Sequence, residues 1–202
     1  MRKLFIFLCL LFLIGCTEIL YENTHASFIP RFSEKTTPKD FSFEGNTIVY
    51  NALGNKVKMK YVEDPDLDLF FLKYNLSNPF LNAPDVRQNY TFFILTFENN
   101  SETSIRFNPR RASIYVNERY YRGSLDYTEM LVAFRYSASD TDSSSIKKAM
   151  YDLELEIKPK NTTEGLLIFP TIPKGFRKII VLLQDVSIGG AIASIPFEFQ
   201  EK

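Results

Sequence analysis

YTFFILTFE, the stretch from Tyr90 to Glu98, is rich in aromatic and β-branched residues and apolar on both of its faces. Side chains along a strand alternate between two faces. A half-exposed strand therefore alternates in polarity, and a strand covered on both sides does not. The stretch predicts a central strand of a layered β structure. Asn99-Asn100-Ser101 ends it with turn-forming residues.

Working outward, most of the chain breaks into short strand-like runs. Thr47 to Leu53 is rich in β-formers, and Gly54-Asn55 reads as a two-residue hairpin turn. Lys56 to Val62 alternates Val57, Met59 and Tyr61 with Lys56, Lys58 and Lys60. Leu67 to Leu76 reads as a longer strand stopped by Asn78-Pro79. After the central strand come Ser104 to Phe107, Ala112 to Val116 and, past Asn117-Glu118, Arg119 to Arg122. Leu153, Leu155 and Ile157 alternate with charged residues. Leu166 to Phe169, Arg177 to Gln184 and, past Gly189-Gly190, Ala191 to Phe199 complete the set. Pro196 lacks a donor, so the last run is expected at a sheet edge.

Two helical pieces interrupt the strands. Asp126 to Tyr136 places Met130, Leu131 and Phe134 at helical spacing, and Ser144 or Ser145 is a candidate cap for Ile146 to Tyr151. Ser137 to Ser145 reads as a polar loop between them. Regular strand–helix alternation is missing. The expected fold class is mainly β: an immunoglobulin-like antiparallel β-sandwich with a small helical insertion near 126–151.

The amino end reads as an address. Arg2 and Lys3 precede eleven consecutive apolar residues, Leu4 to Ile14. As a helix that run rises roughly 17 Å, short of a ~30 Å hydrocarbon core, so it reads as a signal segment. It ends Leu13-Ile14-Gly15-Cys16, which resembles the bacterial lipobox. The resemblance implies cleavage after Gly15, a diacylglycerol thioether on Cys16, and anchoring in a membrane of the bacterial cell envelope. Two or more acyl chains anchor a protein stably where one does not. Thr17 follows the cysteine. In Gram-negative lipoproteins an Asp there commonly means inner-membrane retention, so by resemblance Thr17 implies the periplasmic face of the outer membrane. The expected division is a signal peptide at 1–15, a lipidated amino terminus and tether at 16–44, and a sandwich domain at 45–202. Cys9 then leaves with the signal, Cys16 carries lipid, and the remaining chain holds no thiol. Aromatics at Tyr21, Phe28, Phe32, Phe41 and Phe43 suggest that part of the tether packs on the domain.

Two stretches of the domain, FFILTFENNSETSIRFNPRRASIY from Phe92 to Tyr115 and TEGLLIFPTIPKGFRKIIVLL from Thr163 to Leu183, resemble immunoglobulin-like lipoprotein domains of bacteria and the related water-stress-protein sandwiches. The match covers roughly 45 of the 187 residues from Cys16 onward and brings no catalytic residues with it.

Candidate chemistry is sparse. His25 is the single histidine, and with no mature cysteine a nitrogen–sulfur metal site is not expected. No G-x-S-x-G elbow is present. Ser144 with Lys147 and Ser145 with Lys148 have the serine–lysine spacing of penicillin-recognising enzymes. The partner motifs are missing, and Tyr115-Val116-Asn117 precedes the serine in the wrong order. Asp64, Asp66 and Asp68 begin like a calcium loop, but Leu69 and Asn75 stand where that loop needs Gly and Glu. The three are expected on a charged strand edge, with a looser calcium site as the alternative. No cofactor or metal is expected.

Neutral net charge, 24 basic against 24 acidic residues, argues against a nucleic-acid binder. It hides an asymmetry. From Ile105 to Leu125 five arginines face one glutamate, leaving +4, while Val62 to Leu72 carries −4. Arg110, Arg111, Arg119, Tyr120, Tyr121 and Arg122 form the candidate binding surface, suited to an envelope protein or to an anionic glycan or lipid. The expected function is a lipid-anchored, extracytoplasmic binding or scaffold protein without catalysis. The alternatives are an envelope hydrolase or transferase, and an accessory subunit of a secretion or pilus machine.

Overall fold

The computed structural model describes residues 26–31, 39–136 and 144–202. Cys9, Cys16, Thr17, Tyr21, His25, Phe32 and most of the 137–145 loop lie outside the described residues.

The fold is a mainly β sandwich of two antiparallel sheets. Twelve described strands form it: β1 (Phe28–Pro30), β2 (Phe41–Glu44), β3 (Thr47–Ala52), β4 (Asn55–Val62), β5 (Tyr90–Glu98), β6 (Ile105–Phe107), β7 (Ala112–Val116), β8 (Arg119–Gly123), β9 (Leu155–Ile157), β10 (Thr162–Pro170), β11 (Lys178–Ile188) and β12 (Ala191–Glu201). One sheet runs β10-β5-β4-β3-β2. The other is built on β11, which pairs β12 on one side and, on the other, first β7 and then β6. β1 adds to β12, β8 to β7, and β9 to β6.

Helices form a third layer. They are α1 (Asp64–Lys73), α2 (Pro84–Arg87), α3 (Tyr127–Tyr136) and α4 (Ser144–Ala149), with a 3-10 turn at Pro79–Asn82 between α1 and α2; a second such turn, Pro109–Arg111, links β6 to β7. Leu67, Phe71, Phe80, Val86, Met130, Phe134 and Ile146 pack on Phe92, Leu166 and Ile168. The opposite faces of the same two strands send Phe93, Leu95, Phe97, Leu167 and Phe169 into the sandwich core. This explains why Tyr90–Glu98 is apolar throughout: one face meets the second sheet and the other meets helices. Phe93 touches the rings of Phe169 and Phe199, at 5.9 and 5.2 Å between centroids, so it ties both sheets together.

Helix α1 corrects the strand expected at Leu67 to Leu76 and the charged strand edge expected at Asp64, Asp66 and Asp68. Pro65 sits in the first turn, where its missing donor costs nothing, and Asp64 and Asp66 face the positive helix end. Leu67, Phe70 and Phe71, at helical spacing, supply the buried face. The helical material thus comes from 64–87 as well as from 127–149.

Other boundaries moved by smaller amounts. The β3–β4 hairpin turns on Leu53-Gly54, one residue earlier than expected, with φ of 51° and 77°. Both central residues of that turn type need positive φ, and Asn55 is drawn inward instead. β9 is shorter than the expected alternation, and Leu153 lies exposed outside it. Ser144 and Ser145 lie inside the first turn of α4, not before it. β12 is an edge strand over most of its length, since β1 covers only Phe199 to Glu201. The stretch read as a tether contributes β1 and β2, and Phe28 is buried.

Candidate functional site

The Arg/Tyr hairpin, β7–β8, turns on Asn117 and Glu118, both with positive φ. Its six singled-out residues divide into two groups.

Arg110 and Arg111 are tied into the fold. Asp126 caps α3: its Oδ1 accepts from the Glu129 backbone N–H at 2.9 Å, and Glu129 accepts in return from the Asp126 N–H at 2.9 Å. Arg110 bonds the other Asp126 oxygen at 2.9 Å. Arg111 reaches Asp185 at 3.5 Å, on β11. Arg106 likewise meets Glu156 at 3.4 Å. Three of the five positive charges are thus offset by acids distant in sequence.

β8 carries the others and, among the described residues, pairs only with β7, which leaves its other side unpaired there. Tyr121 turns inward, donates to the Thr171 carbonyl at 3.0 Å and packs on Phe176. The register shift between Ile114 and Tyr115 leaves Tyr121 as the extra residue of β8, without a partner of its own on β7. Tyr120 is 63% exposed and meets Tyr115 edge-on. Arg122 lies 5.9 Å from the Tyr121 ring. Arg119 is exposed with no ion pair among the described residues. Val116, Asn117, Arg119, Tyr120, Tyr121 and Phe176 line an open groove of about 460 Å³.

A second groove, of about 380 Å³, was not foreseen from the sequence. It lies where the helical layer stops short of the five-stranded sheet. Lys58, Thr96, Glu98 and Glu164 floor it, and Leu69, Phe70 and Lys73 of α1 wall it. Glu164 stands opposite Thr96 and accepts from Thr96 at 3.0 Å, Tyr74 at 3.0 Å and Lys73 at 2.7 Å. Burial pushes its carboxyl up, but the Lys73, Thr96 and Tyr74 bonds together outweigh burial and leave its pKa below the ordinary carboxylate value. Lys58 bridges Glu44 at 2.8 Å and Glu98 at 2.7 Å, and those bonds hold its ammonium above the usual lysine value. The Lys58 bond in turn holds Glu44 low. Glu44, Lys58, Lys73 and Glu164 are thus each held in the ionised form by their partners. A carboxyl held ionised is a poor general acid at neutral pH.

The remaining motifs are dispersed. Asp64 pairs Arg87 at 2.6 Å, Asp66 pairs Lys60 at 2.8 Å, and Asp68 accepts from Asn78 at 2.6 Å. Lys147 stands over the Tyr127 ring at 5.4 Å, and Ser145 is buried. Among the described residues no helix is long and apolar enough to cross a membrane.

Set beside known family models, curated proteins and solved structures, the chain matches none of them.

Proposed function

We propose that the chain is a lipid-anchored, extracytoplasmic binding or scaffold protein of the bacterial envelope, acting through the β8 hairpin and not through catalysis. The sandwich is taken to be of the immunoglobulin-like kind, and the anchor to be the lipid implied for Cys16. The observation that carries the reading is the exposed edge of β8, where Arg119, Tyr120 and Arg122 stand free of the acidic partners that hold Arg110 and Arg111. Tyrosine and arginine together suit a contact surface, because each covers apolar area while keeping a polar end in water.

Crosslinking and co-purification of the membrane-bound protein test the surface. Arg119→Glu with Arg122→Glu is expected to abolish the recovered contacts while leaving the unfolding midpoint in place. An unchanged set of contacts would remove the hairpin from the proposal. Cys16→Ser is expected to release the protein from membranes, and unchanged fractionation would remove the anchor.

A further inference from the structure

The chain enters the sandwich beside the hairpin. Ala26 is buried, donates its N–H to the Ile172 carbonyl at 3.4 Å, and accepts from the Tyr61 hydroxyl at 3.0 Å. Thr171, next to Ile172, takes the Tyr121 hydroxyl. From there β1 runs antiparallel to the end of β12. Residue 26 and the β7–β8 turn therefore occupy one end of the molecule. Ten residue-to-residue steps lead from Cys16 to Ala26. Even fully extended they reach no more than about 36 Å, at up to ~3.6 Å each. A lipid on Cys16 thus keeps this end close to the bilayer.

The same end is basic and aromatic. Arg119, Lys174 and Arg177 are exposed, with no ion pair among the described residues. Lys178 and Lys202 are occupied by Glu198 and Glu63. On the acidic side, Glu201 accepts the Gly175 N–H at 3.0 Å, and Glu118 stands at the turn. Tyr120 and Phe176 line the groove together with Arg119, and Phe176 lies in the chain between Lys174 and Arg177. Cations attract anionic headgroups within a Debye length, and amphipathic aromatic rings settle at headgroup depth.

We propose that this end of the sandwich docks on the anionic headgroups of the bilayer that holds the Cys16 lipid, with Arg119, Lys174 and Arg177 meeting phosphate and Tyr120 and Phe176 entering the interface. The proposal rests on the lipid-anchor reading and adds to it an orientation and a ligand class. The domain would lie against its own membrane instead of hanging free from it.

The chain has no tryptophan, so one can be placed as a reporter. Tyr120→Trp puts it on the docking face. Ile192→Trp puts it on an exposed site of β12, six residues beyond the level of Tyr120 along the sheet, or roughly 20 Å at ~3.3 Å per residue. Each full-length variant is recovered from membranes and reconstituted in phosphatidylcholine vesicles with or without about a third phosphatidylglycerol. Quenching is then read from lipids brominated near the headgroup. Expected is at least threefold stronger quenching at position 120 than at 192 in anionic vesicles. That difference should disappear in neutral vesicles and with Arg119→Glu, Lys174→Glu and Arg177→Glu combined. Equal quenching at both positions, or quenching indifferent to vesicle charge, would overturn the docking proposal. A crosslinked protein at position 120 in place of lipid quenching would overturn it in favour of a protein partner. Failure of the protein to partition into any vesicle would instead overturn the anchor reading on which it rests.

Discussion

The ring of Tyr151 lies so close over Gly165 of β10 that a β-carbon on Gly165 would fall 2.8 Å from its Cε1. The Tyr151 backbone N–H donates to Leu166 at 3.0 Å, and burial pushes its hydroxyl pKa up. Here the chain leaving the helical layer crosses onto the sheet, and the glycine makes room for the ring.

Gly165→Ala is therefore expected to lose stability. In an ordinary strand interior the same change would gain about 0.5–1 kcal/mol by restricting the unfolded chain. Here overpacking should cost about 1–3 kcal/mol. In a Tyr151→Ala background the cost should largely vanish, because the two residues touch. Urea unfolding of the four proteins reads the cycle, and additive losses would refute the contact.

The Asp126 cap separates structural from surface arginines. Asp126→Ala should cost about 1–2 kcal/mol through the loss of the α3 cap. Arg110→Ala should cost less than about 1 kcal/mol, as exposed ion pairs do. Arg119→Ala should leave the melting temperature within about a degree. A large loss at Arg119, by thermal unfolding, would mean that it is held by the fold after all.

Glu164 predicts a pH dependence. Its folded pKa is depressed, so its contribution to stability is fully present above the unfolded carboxylate value near 4.5 and is lost as pH falls through the lower folded value. Glu164→Gln should thus be less stable than the parent at pH 7, and the gap should narrow as pH falls below the ordinary carboxylate value of 4.5. Denaturant titrations at several pH values test this. A gap that persists unchanged into acid would exclude the ionised carboxylate as its source.

Asn55 and Asn99 hold one end of the sandwich. Asn55 is almost fully buried, and its side-chain oxygen accepts from the backbone of Asn100 at 2.9 Å and Ser101 at 3.1 Å. Asn99, equally buried, donates to the carbonyls of Thr103 at 2.8 Å and Ile157 at 2.9 Å. Asn99→Ala removes the donor to the Ile157 carbonyl and the acceptor of the Ser101 N–H, and should cost about 2–3 kcal/mol. Asn100→Ala, whose backbone bond survives, should cost far less. Chemical unfolding that ranks the two the other way would contradict this assignment.

The strands were legible because local signals agree with the packing. Lys56 to Val62 alternates, and Val57 and Met59 are indeed buried. Helix α1 was misread because its apolar residues do not keep to one face. Leu67, Phe70 and Phe71 point inward, yet Leu69 and Leu72 are 61% and 74% exposed. A run apolar all round does not declare its period. Its acidic first turn with Pro65 was the signal available. The charged groove could not be read at all, because Glu164 meets Lys73 from 91 residues away and Thr96 from 68. The sequence also exposed the arginine cluster but not its division, since Asp126, Glu156 and Asp185 belong to distant segments.

The pairing of Phe28 with Glu201 joins the first described strand to the last. Loop closure of that length cannot precede the synthesis of β12. During translation, Phe28 stays without its neighbour until nearly the whole sandwich has been made. Until then the edge of β12 that β1 covers stays open. Joining the two ends of the described chain, this pairing is among the most non-local contacts of the fold and adds to the closure entropy the sandwich must overcome.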